Sequence, residues 1–124
     1  MKISTAESVV MGALWSRSPQ SPSMTAEEIA GEVAEAQGWS EATVKTLINR
    51  LLNKGAIGAE RDGRKYRYRP VLAREAYVEA ESQGLLDRLF DGRLAPMVSH
   101  FSETNKLTAE DVAELKKLIE DFEP

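Results

Sequence analysis

The sequence contains no cysteine and a single histidine, His100. The absence of cysteine excludes disulfide bonds, thiolate metal sites and thiol nucleophiles, and a lone histidine excludes any site that needs two imidazoles from one chain. No hydrophobic run approaches the roughly 18 residues that a membrane-spanning helix requires. The N-terminal residues also lack the long apolar core of a secretory signal. We therefore expect a cytoplasmic protein with no membrane insertion.

The residue patterns of enzyme active sites are missing as well. The sequence has no glycine-rich phosphate loop and no evident pair of catalytic carboxylates. We predict that the protein is not an enzyme and that it binds no metal ion and no cofactor. With 124 residues, 42% of them hydrophobic and 29% charged, the chain is large enough for one globular core.

Positive charge is in the minority but is concentrated in one stretch. The net charge is −4, yet residues 1–70 carry +2 and residues 71–124 carry −6. Within residues 43–70, eight lysines and arginines stand against two acidic residues. A stretch this basic inside an acidic protein indicates a surface that binds an anionic partner such as nucleic acid.

The first half of the sequence is predicted to begin with a helix and a loop. Ser4 or Thr5 can cap the helix, whose apolar residues repeat at helical spacing up to Trp15. The stretch Arg17–Met24 is rich in proline and serine, so it is predicted to be a loop.

Two further helices follow, joined by a short turn. Thr25 and Glu28 form a capping box at the start of the second helix, and Gly38 is a natural stop for it. Ser40 can cap the third helix, which is predicted to end at Lys54-Gly55. Two helices joined in this way are typical of a helix-turn-helix motif.

The third helix has two distinct faces. Four apolar residues at helical spacing predict a buried stripe, which consists of Val44, Leu47, Ile48 and Leu51. The opposite face consists of Ala42, Thr46, Asn49 and Asn53, flanked by Lys45 and Arg50. No carboxylate follows Glu41 in this helix, whereas a solvated helix face usually includes acidic residues. The face therefore suits a groove of DNA.

A β-hairpin is predicted after the third helix. Asp62-Gly63 between the extended runs Ala56–Glu60 and Lys65–Pro70 is a strong hairpin signal. Because side chains alternate along a strand, Tyr66 and Tyr68 share one face, which we interpret as the core face. The other face of that strand is basic and carries Lys65, Arg67 and Arg69.

The remainder of the chain is predicted to be helical, over Ala73–Phe90, over Leu94–Phe101 and from Thr108 onward. These helices have more apolar surface than one small chain can cover, so we expect a second copy to cover it. The residues expected at this dimer interface are Leu85, Leu89, Phe90, Met97, Phe101, Val112, Leu115, Ile119 and Phe122.

The order helix, helix, helix, hairpin predicts a mainly α fold: a winged helix-turn-helix over residues 1–70 and a helical dimerisation region over residues 71–124. The third helix would enter the major groove, with Thr46 and Asn49 at base edges. The hairpin would lie along the phosphate backbone. The predicted DNA-binding residues are Thr43, Lys45, Thr46, Asn49, Arg50, Arg61, Arg64, Lys65 and Arg67.

Three segments resemble the penicillinase repressor (BlaI/MecI) family of winged-helix transcriptional regulators. The stretch Trp39–Ile57, WSEATVKTLINRLLNKGAI, meets every fixed position of the family pattern W-S-x-x-T-V-x-T-L-I-x-R-L-x-x-K-G-x-I. The opening ISTAES and the strand KYRYRP are also similar to the family's N-terminus and wing. The resemblance implies a homodimeric repressor that binds a palindromic operator with TACA/TGTA-like half-sites, controlling β-lactamase or related resistance genes.

The resemblance also implies a membrane partner. In one branch of the family, a membrane metalloprotease sensor triggers cleavage of the repressor between an asparagine and a phenylalanine. The matching bond here is His100-Phe101. Phe101 is kept and His100 replaces the asparagine, so the chain departs from the family pattern at this bond.

One alternative remains open from the residues alone. A winged helix can also act as a protein-interaction module without specific DNA binding, with its third helix packed on a partner protein. Acidic substitutions on the outer face of that helix would favour this reading. Their absence, together with Arg61 and Arg64 on either side of the hairpin tip, favours DNA.

Overall fold

The computed structural model describes residues 1–122 and is mainly helical, with one small sheet. The elements in order are α1 (Thr5–Trp15), β1 (Met24–Thr25), α2 (Ala26–Gln37), α3 (Glu41–Lys54), β2 (Ile57–Asp62), β3 (Lys65–Pro70), α4 (Arg74–Phe90), α5 (Leu94–Glu103) and α6 (Ala109–Glu120). Three helices followed by a hairpin form the predicted winged helix-turn-helix.

Side-chain caps set the starts of α1, α2, α3 and α6. Ser4, Thr25, Ser40 and Thr108 each accept a hydrogen bond from the backbone N–H three residues further on. Ser4, rather than Thr5, is the cap of α1. Because such caps satisfy backbone donors that have no partner inside the helix, they fix where each helix begins.

The sheet contains a strand that sequence analysis missed. β1 pairs antiparallel with β3, which places Met24 opposite Tyr68, and the strand order is β1-β3-β2. Arg17–Met24 was predicted to be a loop throughout, and this is wrong at Met24. A strand of two residues is too short to show alternation, and its pairing partner lies far along the chain, so no local signal could reveal it.

The hairpin turn lies one residue beyond its predicted position. Asp62 pairs with Lys65, so the two-residue loop is Gly63-Arg64 instead of Asp62-Gly63. Gly63 has φ +66°. The tight turns of two-residue hairpins require positive φ at the first loop position, and glycine adopts it without steric cost.

The two tyrosines of β3 do not share a buried face, contrary to the prediction. Tyr68 is half-buried against the core, next to Met24 of β1. Tyr66 is 49% exposed, and the guanidinium carbon of Arg61 lies 5.7 Å from its ring centroid. Tyr66 lies two residues nearer the hairpin tip, beyond the end of β1, so no helix or strand covers it.

The hydrophobic core lies in the N-terminal half of the chain. It is formed by α1, α2 and α3 with β1 and the start of β2, and the predicted apolar stripe of α3 is buried within it. Trp15 ties the start of the following segment to this core, because its indole N–H donates to the carbonyl of Leu72 at 2.9 Å. Between Ile57 and residue 122, no residue is fully buried.

The chain divides into two compact units. The first is Met1–Tyr77, and the second begins at Val78. The second unit contains the greater part of α4 together with α5 and α6, and none of these helices has a buried residue.

Candidate nucleic-acid interface

The outward face of α3 is solvent-exposed along its length. All five α3 residues predicted to contact DNA are exposed: Thr43, Lys45, Thr46, Asn49 and Arg50. They are held there because the opposite side of the helix is buried in the core. The buried stripe therefore fixes the rotation of α3 about its own axis, and with it the residues that a groove could meet.

The hydrogen-bonding capacity of this face differs from residue to residue. The hydroxyl of Thr46 donates to the carbonyl of Ala42 at 3.1 Å, which leaves its methyl group and its oxygen lone pair free to interact. The hydroxyl of Thr43 lies 3.1 Å from that of the cap residue Ser40. Within residues 1–122 the Asn49 amide makes no hydrogen bond to another side chain or to the backbone, so its donors and its acceptor are all available.

The cations that flank this face are only weakly held. Lys45 Nζ lies 3.6 Å from Glu41 Oε1, one turn earlier, and both side chains are 55% exposed. An exposed pair of this kind contributes little and is readily exchanged for another anion. Arg50 is exposed and forms no ion pair with any of residues 1–122.

The wing presents a second group of cations at its tip. Arg61, Arg64 and Lys65 are exposed. Arg61 Nε donates to the carbonyl of Gly63 at 3.1 Å, so this side chain is folded along the turn and over Tyr66. Arg67 is different, because its side chain is 29% exposed and its guanidinium is hydrogen-bonded to Ser23.

An ion pair between the last residue of α3 and a buried residue of α1 was not predicted from the sequence. Glu7 is 1% exposed, and its Oε1 accepts hydrogen bonds from Lys54 Nζ at 2.5 Å and from the backbone N–H of Ser4 at 2.7 Å. Burial raises the pKa of Glu7, but the hydrogen bonds from Lys54 and Ser4 together outweigh it, and the net pKa is lowered. The pair joins residues 47 apart in the chain, so sequence spacing gives no sign of it.

The residues predicted for dimerisation lie in the second unit with much of their surface uncovered. Leu85, Leu89, Phe101, Val112, Ile119 and Phe122 are exposed, and Phe90, Met97 and Leu115 are half-buried. The predicted cleavage residues His100 and Phe101 both lie inside α5 and are exposed.

Residues 1–122 contain neither a cluster of metal-binding side chains nor a membrane-spanning helix. In the part of the chain that the structure describes, no three acidic or histidine side chains are close enough together to hold a metal ion. Over the same residues, no helix combines the length and the apolar character needed to cross a bilayer.

Comparisons with known proteins agree with this architecture. The family model described as penicillinase repressor matches residues 3–121. A penicillinase repressor from Bacillus licheniformis is 33% identical over 97% of this chain and 91% of its own length. The methicillin resistance regulatory protein MecI from Mammaliicoccus sciuri is 27% identical over 95% of this chain and 93% of its own.

A solved structure extends the agreement to the fold. The solution structure of the DNA-binding domain of the repressor BlaI has 33% sequence identity and a TM-score of 0.54. The superposition covers 61% of this chain and 88% of that domain. Since the family model spans nearly the whole chain and a named penicillinase repressor is 33% identical to it, the chain belongs to the penicillinase repressor family.

Proposed function

We propose that this protein is a homodimeric transcriptional repressor that binds a palindromic DNA operator. The observation that carries the proposal is the exposed outward face of α3, which has no carboxylate after Glu41 and lies in the same compact unit as the basic wing tip. A single helix fits the major groove of B-DNA, and a hairpin beside it can follow the phosphate backbone. One relative is named a repressor and another a regulatory protein, which supports the same conclusion.

The residues at the centre of the α3 face are the proposed base readers. Asn49 has a free amide, and an amide can pair with both N6 and N7 of adenine. Thr46 offers a methyl group, which suits the methyl group of thymine. A half-site of TACA type contains both kinds of base. Thr43, Lys45 and Arg50 lie at the flanks, where phosphates are the nearer partners.

The wing tip supplies contacts that do not depend on sequence. Arg61, Arg64 and Lys65 are exposed cations at one end of the hairpin. Each phosphate neutralised by such a cation releases counterions and makes binding more sensitive to salt. These residues therefore contribute affinity and fix the position of the protein on the duplex, and α3 contributes specificity for the base sequence.

The second unit is the proposed dimerisation region. Its helices bury no residue within the described chain. Four apolar side chains of α4 and α5, together with polar and charged ones, line a groove of about 550 Å³. A second copy of the same helices provides the matching apolar surface, as the two-fold symmetry of a palindrome requires. Two joined DNA-binding units then bind far more tightly than one.

The names of two relatives support a proposal for the target genes, and the family resemblance supports one for an inducing partner. One relative is named a penicillinase repressor and another a methicillin resistance regulatory protein, so we propose β-lactamase or related resistance genes as targets. Control by a membrane metalloprotease sensor would act at His100-Phe101. Because this bond lies inside α5, cleavage there requires the helix to open, and its rate tracks that opening.

The proposal is tested with a labelled duplex that contains a TACA/TGTA palindrome and with a scrambled duplex of equal length and composition. Binding is measured at two salt concentrations. We expect a preference of about a hundredfold for the palindrome, equivalent to ~3 kcal/mol, together with steep salt dependence. Equal and weak binding to both duplexes would contradict an operator of this type and would favour a winged helix that binds a protein.

A further inference from the structure

The guanidinium of Arg67 is enclosed by oxygen atoms of the protein itself. Its Nε donates to the hydroxyl of Ser23 at 3.0 Å, and its Nη2 donates to the carbonyl of the same residue, also at 3.0 Å. Glu28 Oε1 lies 3.4 Å from Nη2, and Asp62 Oδ2 lies 4.0 Å from Nη1. All three nitrogens of the guanidinium therefore face a protein acceptor.

These acceptors belong to separate elements of the first unit. Arg67 lies in β3, the central strand, whereas Ser23 immediately precedes β1 and Asp62 ends β2. Glu28 is in the first turn of α2, where its carboxylate also accepts from the backbone N–H of Thr25 at 2.9 Å. One planar side chain thus joins both strands of the wing to the first helix of the helix-turn-helix.

Carboxylates of the protein already compensate the charge of Arg67. Its guanidinium lies within 4.0 Å of two of them, Glu28 and Asp62, so a phosphate would have to compete with both. The N–H of Thr25 is the largest influence on Glu28, and Arg67 adds to it, so the pKa of Glu28 is lowered and its carboxylate stays charged. Arg64 differs, because it is exposed at the turn and none of residues 1–122 forms an ion pair with it.

We propose that Arg67 is a positioning residue that locks the wing onto α2, and that it is not a phosphate contact. This inference rests on the DNA-binding function proposed above. A hairpin already fixed on the helix-turn-helix brings Arg61 and Arg64 to the backbone without having to be ordered on binding, so loss of the lock weakens binding although the same phosphate contacts still form. A guanidinium suits this role, since its rigid fork meets several acceptors in one plane and a lysine ammonium does not.

The test compares Arg67→Lys and Arg67→Met with Arg64→Met, a matched control that loses the same charge from the same hairpin. Operator binding is measured against salt concentration for each variant. We expect both Arg67 variants to weaken binding by about tenfold while the slope of log K against log salt stays at the wild-type value. Arg64→Met should instead lower that slope by about one unit.

Two outcomes in this series would overturn the inference. If Arg67 contacts a phosphate, Arg67→Met lowers the slope by about one unit and Arg67→Lys, which keeps the charge, restores it. If Arg67 serves only the stability of the fold, both variants bind the operator as wild type does and differ only in their unfolding temperature.

A measurement without DNA separates this inference from the proposed function. Hydrogen exchange is followed at the amides of β1, β2 and β3 in the free protein, and Ser23→Ala is added as a variant that removes one acceptor and no charge. We expect faster exchange in both Arg67 variants and in Ser23→Ala, and wild-type exchange in Arg64→Met. Unchanged exchange in the Arg67 variants would overturn the lock. A wild-type protein that shows no salt-dependent operator binding would overturn the proposed function and leave this exchange result standing.

Discussion

Lys54 Nζ lies between two acceptors, the carboxylate of buried Glu7 at 2.5 Å and the backbone carbonyl of Lys2 at 2.8 Å. It is the last residue of α3, so the pair fixes the C-terminal end of the proposed recognition helix to the start of α1. The second oxygen of Glu7, Oε2, is buried without a hydrogen-bond partner among the described residues. The carboxylate therefore depends on Lys54 and the Ser4 cap for its compensation.

Replacing Lys54 by methionine should lower the free energy of unfolding by about 2–3 kcal/mol, because it leaves a buried carboxylate without its cation. This expected loss is smaller than for breaking a fully buried ion pair, because the Lys54 side chain is 37% exposed. Urea denaturation at neutral pH measures it. The matched control Lys45→Met breaks an exposed pair and should cost less than about 0.5 kcal/mol. Equal losses in the two variants would contradict the role of the buried pair.

The same pair predicts a specific sensitivity to acid. Because hydrogen bonds from Lys54 and Ser4 outweigh burial and lower the pKa of Glu7, its stabilising contribution is complete above the unfolded-state value of 4.5. That contribution is lost as pH falls through the lower pKa that Glu7 has in the folded state. Unfolding free energies of wild type and Glu7→Gln should therefore differ most at neutral pH and converge in acid. A difference that stays constant with pH would contradict this assignment.

Asn49→Ala should weaken operator binding by about 1–3 kcal/mol and relax the preference at one base position. The reason is that a lost amide removes a paired contact to one base edge and leaves the phosphate contacts in place. Binding to a panel of single-base operator variants measures the change. Gln37→Ala, which removes an exposed amide at the end of α2, is the matched control and should leave the preference intact. Equal weakening on operator and scrambled DNA would assign Asn49 to the backbone instead.

Side-chain exposure on α3 could be predicted from the sequence, whereas individual pairings could not. The period of the apolar stripe fixed which residues face outward, because a helix turns by a constant angle per residue. Glu7 lies 47 residues from Lys54 and Ser23 lies 44 residues from Arg67, and no local pattern encodes contacts of this kind. The exposure of Tyr66 was mispredicted for a related reason, since it depends on how far β1 extends along β3.

At the scale of elements, local chemistry was enough for the helices and not for the strands. Helix starts follow from caps whose donors and acceptors lie three residues apart, so they could be read from the sequence. β1 exists only because β3 pairs with it, and the hairpin register depends on which two residues form the loop. Pairing of this kind is a property of two segments and is weakly specified by either alone.

In α2 and at its end, replacing glycine by alanine is expected to raise the free energy of unfolding at one position and to lower it at another. Gly31 is exposed inside the helix, and an added Cβ meets nothing within 4 Å, so Gly31→Ala should stabilise the protein by about 0.5–1 kcal/mol. Gly38 ends the same helix with φ +71°, where Gly38→Ala should cost about 1–2 kcal/mol although space is equally open. Thermal or urea denaturation of the two variants measures both changes. The same sign for both would show that backbone conformation does not govern this turn.

At the scale of the whole molecule, the described chain contains one unit with a core and one without. Ile119 is 73% exposed in α6, among the residues proposed for the dimer interface. Ile119→Glu should yield monomers that bind the palindrome poorly and a single half-site as wild type does, because the proposed link between the two DNA-binding units is lost. Sedimentation and operator titration measure the two effects.

The control for this change lies on the same helix. Lys117→Glu alters charge on the side of α6 roughly opposite the apolar residues, at 100° per residue, and should leave the dimer intact. A monomer that binds the palindrome as tightly as wild type would contradict the proposed dimerisation.

Because the core ends at Ile57, it determines what remains folded after the backbone is cut in the C-terminal helices. A cut inside α5 removes none of the described buried residues and none of the three strands, so the N-terminal fragment keeps a folded winged helix-turn-helix. Such a cut removes the end of α5 and all of α6, so inactivation would come from losing part of the proposed dimer interface while the fragment still resists the proteases that clear unfolded protein. Recovery of repression would depend on new synthesis, because a cut backbone cannot rejoin, and the surviving fragments would compete only weakly for the operator.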